Sequence, residues 1–172
     1  MSKIKKAGFD IKFITLHVNL GTFAPVTQEH LNDSRMHEEQ YSIDKNTADF
    51  LNTARAQGRP IIAVGTTVVR TLESAALTGA KMGQLKKLEG TTDLFITEKY
   101  KFKVISGMIT NFHVPRSSLI MLVSAFVGRK KLLELYKVAI AHRFKLFSFG
   151  DGMLLVNSGI CDKSERTADS AG

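Results

Sequence analysis

Three runs of β-branched and aliphatic residues in this chain each stop in a dense polar cluster. Ile11 to Leu16 ends in His17 and the Gly21 to Pro25 segment. Ile61 to Val64 ends in Gly65-Thr66-Thr67, followed by Arg70, Thr71, Glu73 and Ser74. Met108-Ile109 ends in Thr110-Asn111-Phe112-His113. A packed strand holds the root of the loop that follows it, so side chains at strand exits stay fixed while reaching solvent and ligand. Three such exits predict one shared site.

The remaining pattern fills in the elements between them. Ile11 to Val18 reads as a strand, and 19–35 as a long loop around Gly21 and Pro25, a length that is usually functional or disordered. Glu38 to Ile43 predicts a short strand, and Asp44 caps a helix running to Gln57 and closing at Gly58. Pro60 to Gly65 is a buried strand, followed by a helix that opens at Thr66 or Thr67 and continues to Leu77. Gly79 to Gly90 lacks periodicity and reads as an exposed connector. Thr92 to Thr97 and Phe102 to Ile105 predict strands around a basic turn at Lys99 to Lys101. Ser118 to Phe126 is apolar nearly all round, as a buried helix is, and Gly128 ends it. In the segment Lys130 to His142, the residues Leu132, Tyr136, Ala139 and Ile140 fall on one helical face. Phe144 to Phe149 and Met153 to Val156 predict strands around Gly150-Asp151-Gly152. Strand and helix alternate, which predicts an α/β fold with a largely parallel sheet and outer helices. Residues 1–160 form the folded domain, and 161–172, almost without apolar residues, a disordered polar tail.

Composition narrows the setting. A chain of 172 residues, 44% hydrophobic and with eleven Phe, supports one domain with a substantial core. The lone cysteine, Cys161, excludes an internal disulfide and a multi-cysteine zinc site, and points to a reducing compartment. The start Met1-Ser-Lys-Ile-Lys-Lys has no apolar h-region, and the stretch Leu119 to Val127 is too short to cross a bilayer. The expectation is a cytoplasmic protein with no membrane partner. A net charge of +8, spread over the whole length, suits a polyanionic partner.

The polar clusters carry the candidate chemistry. Gly65-Thr66-Thr67, between a strand and a helix start, offers backbone N–H groups and two hydroxyls to an anionic or polar ligand, while the plainer reading makes one threonine an N-cap. Arg70 and Glu73 share a helix face and either pair with each other or split, with Arg70 turned to a carboxylate or phosphate in the cleft. His17 and His113 stand at strand exits and are natural proton carriers near neutral pH. A zinc site from His17, His37 and His113 matches no ligand spacing and is discounted, so no metal is expected. Asp93 and Asp151 lie at element edges, where a cap and a turn are their structural roles. No P-loop, dinucleotide fingerprint or nucleophile elbow is present.

Seven ordered segments resemble the S-adenosylmethionine:tRNA ribosyltransferase-isomerase family of queuosine biosynthesis. They are Thr15 to Val26 (TLHVNLGTFAPV), Met36 to Glu38 (MHE), Ala63 to Ala75 (AVGTTVVRTLESA), Thr92 to Ile96 (TDLFI), Thr110 to Pro115 (TNFHVP), Leu122 to Phe126 (LVSAF) and Phe147 to Leu154 (FSFGDGML). The likeness runs from Ile11 to Val156 and corresponds to the C-terminal half of such a protein. It implies the C-terminal part of an α/β barrel-like domain, without the small β-barrel domain that the family inserts.

The resemblance also implies a reaction. The ribosyl part of S-adenosylmethionine moves to 7-aminomethyl-7-deazaguanine in tRNA and is isomerised, giving epoxyqueuosine-tRNA, adenine and methionine. S-adenosylmethionine is then the ribosyl donor, and the base-bearing tRNA the partner. A sulfonium acidifies adjacent C–H bonds, so a base must take a proton and an acid must help adenine leave. The resemblance makes His17 and His113 proton-transfer candidates, with Asp93 and Glu73 shaping the charge of the site. Gly65, Thr66, Thr67 and Arg70 would hold the polar ends of the donor, Arg70 its methionine carboxylate. Lys86, Lys87, Lys99, Lys101, Lys103, Arg129, Lys130 and Lys131 are candidate phosphate contacts. The competing readings are an inactive fragment of that enzyme and a non-catalytic RNA-binding piece. A further expectation is that an upstream half is supplied in trans.

Overall fold

The computed structural model describes residues 1–18, 35–77 and 83–157. The predicted loop at 19–35, apart from Arg35, most of the first polar cluster and the predicted tail at 161–172 lie outside them. In chain order the elements are α1 (Ser2–Lys6), β1 (Thr15–His17), β2 (Arg35–Ser42), α2 (Lys45–Ala56), β3 (Ile62–Val64), α3 (Thr66–Leu77), β4 (Glu89–Leu94), β5 (Gly107–Asn111), α4 (Ser118–Val127), α5 (Arg129–Ala141) and β6 (Gly152–Val156).

Local chemistry places α2 to α5 where the sequence predicts them, while α1 is a short helix the sequence reading did not include. Asp44 accepts a hydrogen bond from the Thr47 N–H at 2.9 Å and so caps α2, which gives way to the left-handed Gly58. Ser117 caps α4 in the same way through the Ile120 N–H. Gly128, at φ +85°, both ends α4 and starts α5, so the two helices pack against each other across a one-residue joint.

The strands form two three-stranded sheets, β1-β2-β4 and β3-β5-β6. Only the β3–β5 pair is parallel among the described strands; β1–β2, β2–β4 and β5–β6 are antiparallel. This corrects the expectation of a mostly parallel sheet. Alternating strands and helices imply parallel neighbours only when successive strands join the same sheet. Here β2, β3, β4 and β5 alternate between the two sheets, so the rule applies only to β3–α3–β4–β5. The fold is mixed α/β with small sheets and helices.

Two predicted strands are absent, and one is displaced. The strand expected at Thr92 begins earlier, at Glu89, because Ser42 and Tyr41 pair with Glu89 and Gly90. Phe102 to Ile105 is irregular because its N–H groups are taken by a side chain, as described below. Phe144 to Phe149 turns instead of extending, with Phe147 and neighbouring Arg143 at positive φ.

The core lies where α3 packs between the sheets. Val69, Leu72, Ala75 and Ala76 of α3 meet Ala63, Met108 and Leu155 of the second sheet and Tyr41 of the first, and Leu122 and Val123 of α4 complete the cluster. Met108, Val69 and Ala75 are fully buried. Burying a side chain of Met108's class contributes about 1.5–3 kcal/mol. Because α3 touches both sheets, its N-terminal turns link their loop ends.

Candidate functional site

The parallel β3–β5 pair brings two of the three polar clusters to one edge. Val64 lies opposite Ile109, so both strands exit on the same side, into Gly65-Thr66-Thr67 and into Phe112-His113. Antiparallel β6 enters at that edge, where Gly152 pairs with Asn111 and the Asn111 amide donates to the Asp151 carbonyl at 3.4 Å. Asp151 holds the incoming turn by accepting from the Lys145 N–H at 2.6 Å.

Gly65 makes the turn from strand to helix. Its N–H donates to the Ile109 carbonyl at 2.8 Å, extending the parallel ladder, while its carbonyl accepts from the N–H groups of Val68 and Val69 to start α3. A φ of +98° is required there, which glycine adopts without strain. The first-turn N–H groups of a helix have no partners within it and carry its positive dipole end. Thr66 is buried beside them and Thr67 is half-buried.

His113 is held on three sides. Its Nε2 lies 2.8 Å from Thr110 Oγ1, and the Tyr136 hydroxyl accepts from its backbone N–H at 2.6 Å and donates to its carbonyl at 3.0 Å. Phe112, edge-on to Tyr136 at 5.4 Å and to Phe144 at 6.0 Å, walls this corner with aromatic surface. Burial pushes the imidazole pKa down to about 4. The ring is therefore neutral near pH 7 and adds no positive charge beside a cationic ligand, while the same desolvation makes it a weaker base than a free imidazole.

Arg70 follows on α3 but faces the first sheet. Its Nε donates to the Leu94 carbonyl at 3.2 Å and its Nη1 to Glu39 Oε2, in a salt bridge buried on both sides. Its Nη2 is buried without a hydrogen-bond partner among the described residues. A buried guanidinium N–H without a partner is costly, and a carboxylate or water reaching it would remove that cost.

Glu73 lies one turn further along and forms no ion pair with Arg70 or any other cation among the described residues. Oε2 accepts from the Tyr100 hydroxyl at 3.0 Å and the Lys103 N–H at 2.9 Å, while Oε1 accepts from the N–H groups of Val104 and Ile105 at 3.0 and 3.3 Å. Desolvation, and then the Glu73 charge, raise the Tyr100 pKa. This side chain replaces the strand ladder that 102–105 was expected to make.

His17 and Asp93 lie elsewhere. Leu16 pairs with buried Tyr41 and packs on the core, so strand alternation turns His17 and its partner Gln40 to the solvent side of the first sheet. Asp93, half-exposed, makes a 3.4 Å ion pair with exposed Arg35. The His113 and Gly65 clusters thus share an edge, with Arg70 and Glu73 further along α3 and His17 on another surface.

Sequence reasoning missed three residues of this arrangement: Thr110, Tyr136 and Glu39. Glu39 left a signal, since a carboxylate shares the inward, every-second-residue face of β2 with Tyr41, a pattern that continues to Ile43 just past the strand. Among the described residues, no group of three His, Cys, Asp or Glu is placed to hold a metal, and no helix is long and apolar enough to cross a membrane.

Comparison with known proteins locates this arrangement in a family. The model of the queuosine biosynthesis protein family matches residues 1–155. The S-adenosylmethionine:tRNA ribosyltransferase-isomerase of Carboxydothermus hydrogenoformans is 49% identical over 156 residues, covering 91% of this chain and 45% of the relative. Its counterpart in Thermoanaerobacter sp. is also 49% identical over the same shares. The crystal structure of S-adenosylmethionine tRNA ribosyltransferase from Thermotoga maritima matches with a TM-score of 0.70 at 38% identity, over 90% of this chain and 48% of that one. The chain spans about half the length of the curated relatives it matches.

Proposed function

The chain belongs to the queuosine biosynthesis protein family, and from that membership we propose that it supplies the C-terminal half of an S-adenosylmethionine:tRNA ribosyltransferase-isomerase. In this reading the ribosyl group of S-adenosylmethionine passes to 7-aminomethyl-7-deazaguanine in tRNA, with adenine and methionine released and epoxyqueuosine-tRNA formed. The remaining half of the fold comes from another polypeptide or from further sequence of the same one.

The observation that carries the proposal is the shared exit of β3 and β5, where a helix start with two threonine hydroxyls stands at the same edge as a neutral, anchored histidine. Abstraction of a proton beside a sulfonium calls for an acceptor with a free lone pair and no positive charge, which a neutral imidazole or a carboxylate meets and an imidazolium does not. His113 fits that role, with Thr110 fixing the ring through Nε2. Gly65, Thr66 and Thr67 bind polar groups of the donor at the helix start. Arg70 receives the methionine carboxylate on Nη2, which has no partner among the described residues, with Glu39 holding the guanidinium in place. Glu73 acts indirectly, by fixing the 100–105 segment that leads into β5 at the end opposite the shared exit. His17 and Asp93, on the solvent face of the first sheet, are the other proton-transfer candidates, and mutation separates them from His113. The net charge of +8 suits the tRNA backbone.

Adenine release from S-adenosylmethionine in the presence of precursor tRNA tests the reading. The assay uses this chain alone and together with the portion of a full-length relative that it does not match. Release in the second arm is expected, and its absence from both arms removes the catalytic role.

A further inference from the structure

The two ring nitrogens of His113 stand in different surroundings. Nε2 lies 2.8 Å from Thr110 Oγ1. Nδ1 has no hydrogen-bond partner among the described residues, and it is not buried, because the one buried side-chain nitrogen or oxygen without a partner among them is Arg70 Nη2. A ligand at the shared edge therefore meets the ring through Nδ1.

Thr110 is placed to decide what Nδ1 offers that ligand. It is buried, and its backbone is fixed in the β5–β6 ladder opposite Met153. Its β-branch restricts χ1, so the hydroxyl keeps its direction. The main chain of His113 is held separately, by the Tyr136 hydroxyl on its N–H and carbonyl. Backbone and ring thus answer to different side chains, and among the described residues Thr110 alone bonds a ring nitrogen.

A hydroxyl can donate or accept, and a neutral imidazole carries one hydrogen on either nitrogen. The ring is neutral near pH 7, since burial holds its pKa down to about 4, so the tautomer sets its chemistry. With Oγ1 donating to Nε2, the hydrogen sits on Nδ1 and the ring has no free lone pair. With Oγ1 accepting from Nε2–H, Nδ1 turns a lone pair to the ligand. The second arrangement also persists when Nδ1 gains a proton: the bond from Nε2–H to Oγ1 is unbroken and gives the charged ring an accepting oxygen. The hydroxyl hydrogen then has no acceptor among the described residues and is left for water or a ligand atom beside the ring.

We propose that Thr110 is a positioning residue that accepts from His113 Nε2–H and so presents the Nδ1 lone pair to the donor. The inference rests on the proton-transfer reading of His113 above and names the atom that performs it. In that step the C–H bond beside the sulfonium breaks, its proton joins the Nδ1 lone pair, and its electron pair stays on the carbon next to sulfur.

The test reads the tautomer by NMR near pH 7, in the full 172-residue chain with isotopically labelled histidine nitrogens. His113 is assigned by the signals that His113→Gln removes. Nε2 is expected to carry the hydrogen and Nδ1 to be bare. Thr110→Val, close in shape but without the hydroxyl, should move the two nitrogen shifts toward a common average, and Thr110→Ser should restore their separation. A merely structural role would show neither the tautomer change nor the serine rescue. In the complemented enzyme, Thr110→Val should lower kcat for adenine release by about tenfold or more while KM for S-adenosylmethionine changes by no more than about twofold, and Thr110→Ser should recover kcat to within about threefold. The proposal is overturned by a hydrogen on Nδ1 of the parent chain, a result that needs no variant to fold. It is equally overturned by a Thr110→Val ring with unchanged tautomer, or by a Thr110→Val loss confined to KM. An Nε2–H tautomer governed by Thr110 in an enzyme that releases no adenine sinks the catalytic reading and leaves the tautomer control standing; adenine release that depends on His113 with the hydrogen on Nδ1 does the reverse.

Discussion

Tyr136 of α5 grips the main chain of His113 in both directions, accepting from its N–H at 2.6 Å and donating to its carbonyl at 3.0 Å. One phenol from a helix thereby satisfies both backbone groups of a residue just past a strand end, where no ladder partner is available. Tyr136→Phe keeps the ring contact with Phe112 but leaves those two groups without their partner. A loss of about 1–3 kcal/mol in urea unfolding is expected, and a loss below a few tenths would show that water replaces the hydroxyl.

The low pKa of His113 makes stability depend on pH in a defined window. Its folded value of about 4 lies below the ordinary histidine value of 6.5, so between those two pH values the unfolded chain binds a proton that the folded chain refuses. Stability therefore falls as pH drops from about 6.5 to about 4, and this contribution changes no further below that. Urea midpoints measured across the window should slope for the parent and flatten for His113→Gln; equal slopes would remove His113 as the source.

Glu73 holds the 100–105 segment through four hydrogen bonds, three of them from backbone N–H groups. Glu73→Ala leaves those donors without an acceptor and should cost at least about 3 kcal/mol. In Glu73→Gln the Tyr100 pKa should fall, because the carboxylate charge that helps raise it is gone. Spectrophotometric titration of the tyrosines reads that change directly.

The buried Arg70–Glu39 pair predicts non-additive mutations. Arg70→Met alone removes the guanidinium that the buried Glu39 carboxylate binds and should cost about 3–5 kcal/mol, whereas the double variant Arg70→Met/Glu39→Met removes both charges and should recover part of that loss. Unfolding of the two single variants and the double completes the cycle. Additive losses would mean that the pair contributes no coupling.

The two histidines differ in setting, and the half-enzyme reading turns this into a kinetic prediction. In the complemented enzyme, His113→Ala should slow adenine release by roughly 100-fold or more, the lower range for a lost proton-transfer group. His17→Ala, exposed on the first sheet, should change it by no more than about threefold. The opposite order would move the proton-transfer role to His17.

Much of the local structure was legible in the chain. Asp44, Gly58 and Gly128 mark helix ends whose chemistry depends only on neighbouring residues, and each acts where its residue type predicts, while the Ser117 cap emerged only in the structure. The Gly65-Thr66-Thr67 turn is readable for the same reason. The strand predicted at Phe102 to Ile105 was not, because its backbone donors go to Glu73, about thirty residues earlier in the chain.

By itself, then, the sequence determined the helices and their caps, the strand exits rich in polar residues, and the family motifs, because hydrophobic period, capping and turn chemistry act over a few residues. Tertiary structure decided which exits meet. The β3–β5 register joins Gly65 and His113 at one edge, while strand alternation turns His17 to solvent. It also decided that Arg70 takes Glu39 rather than Glu73. Those outcomes depend on which strands become neighbours, and alternating strands and helices fit both one parallel sheet and two interleaved ones.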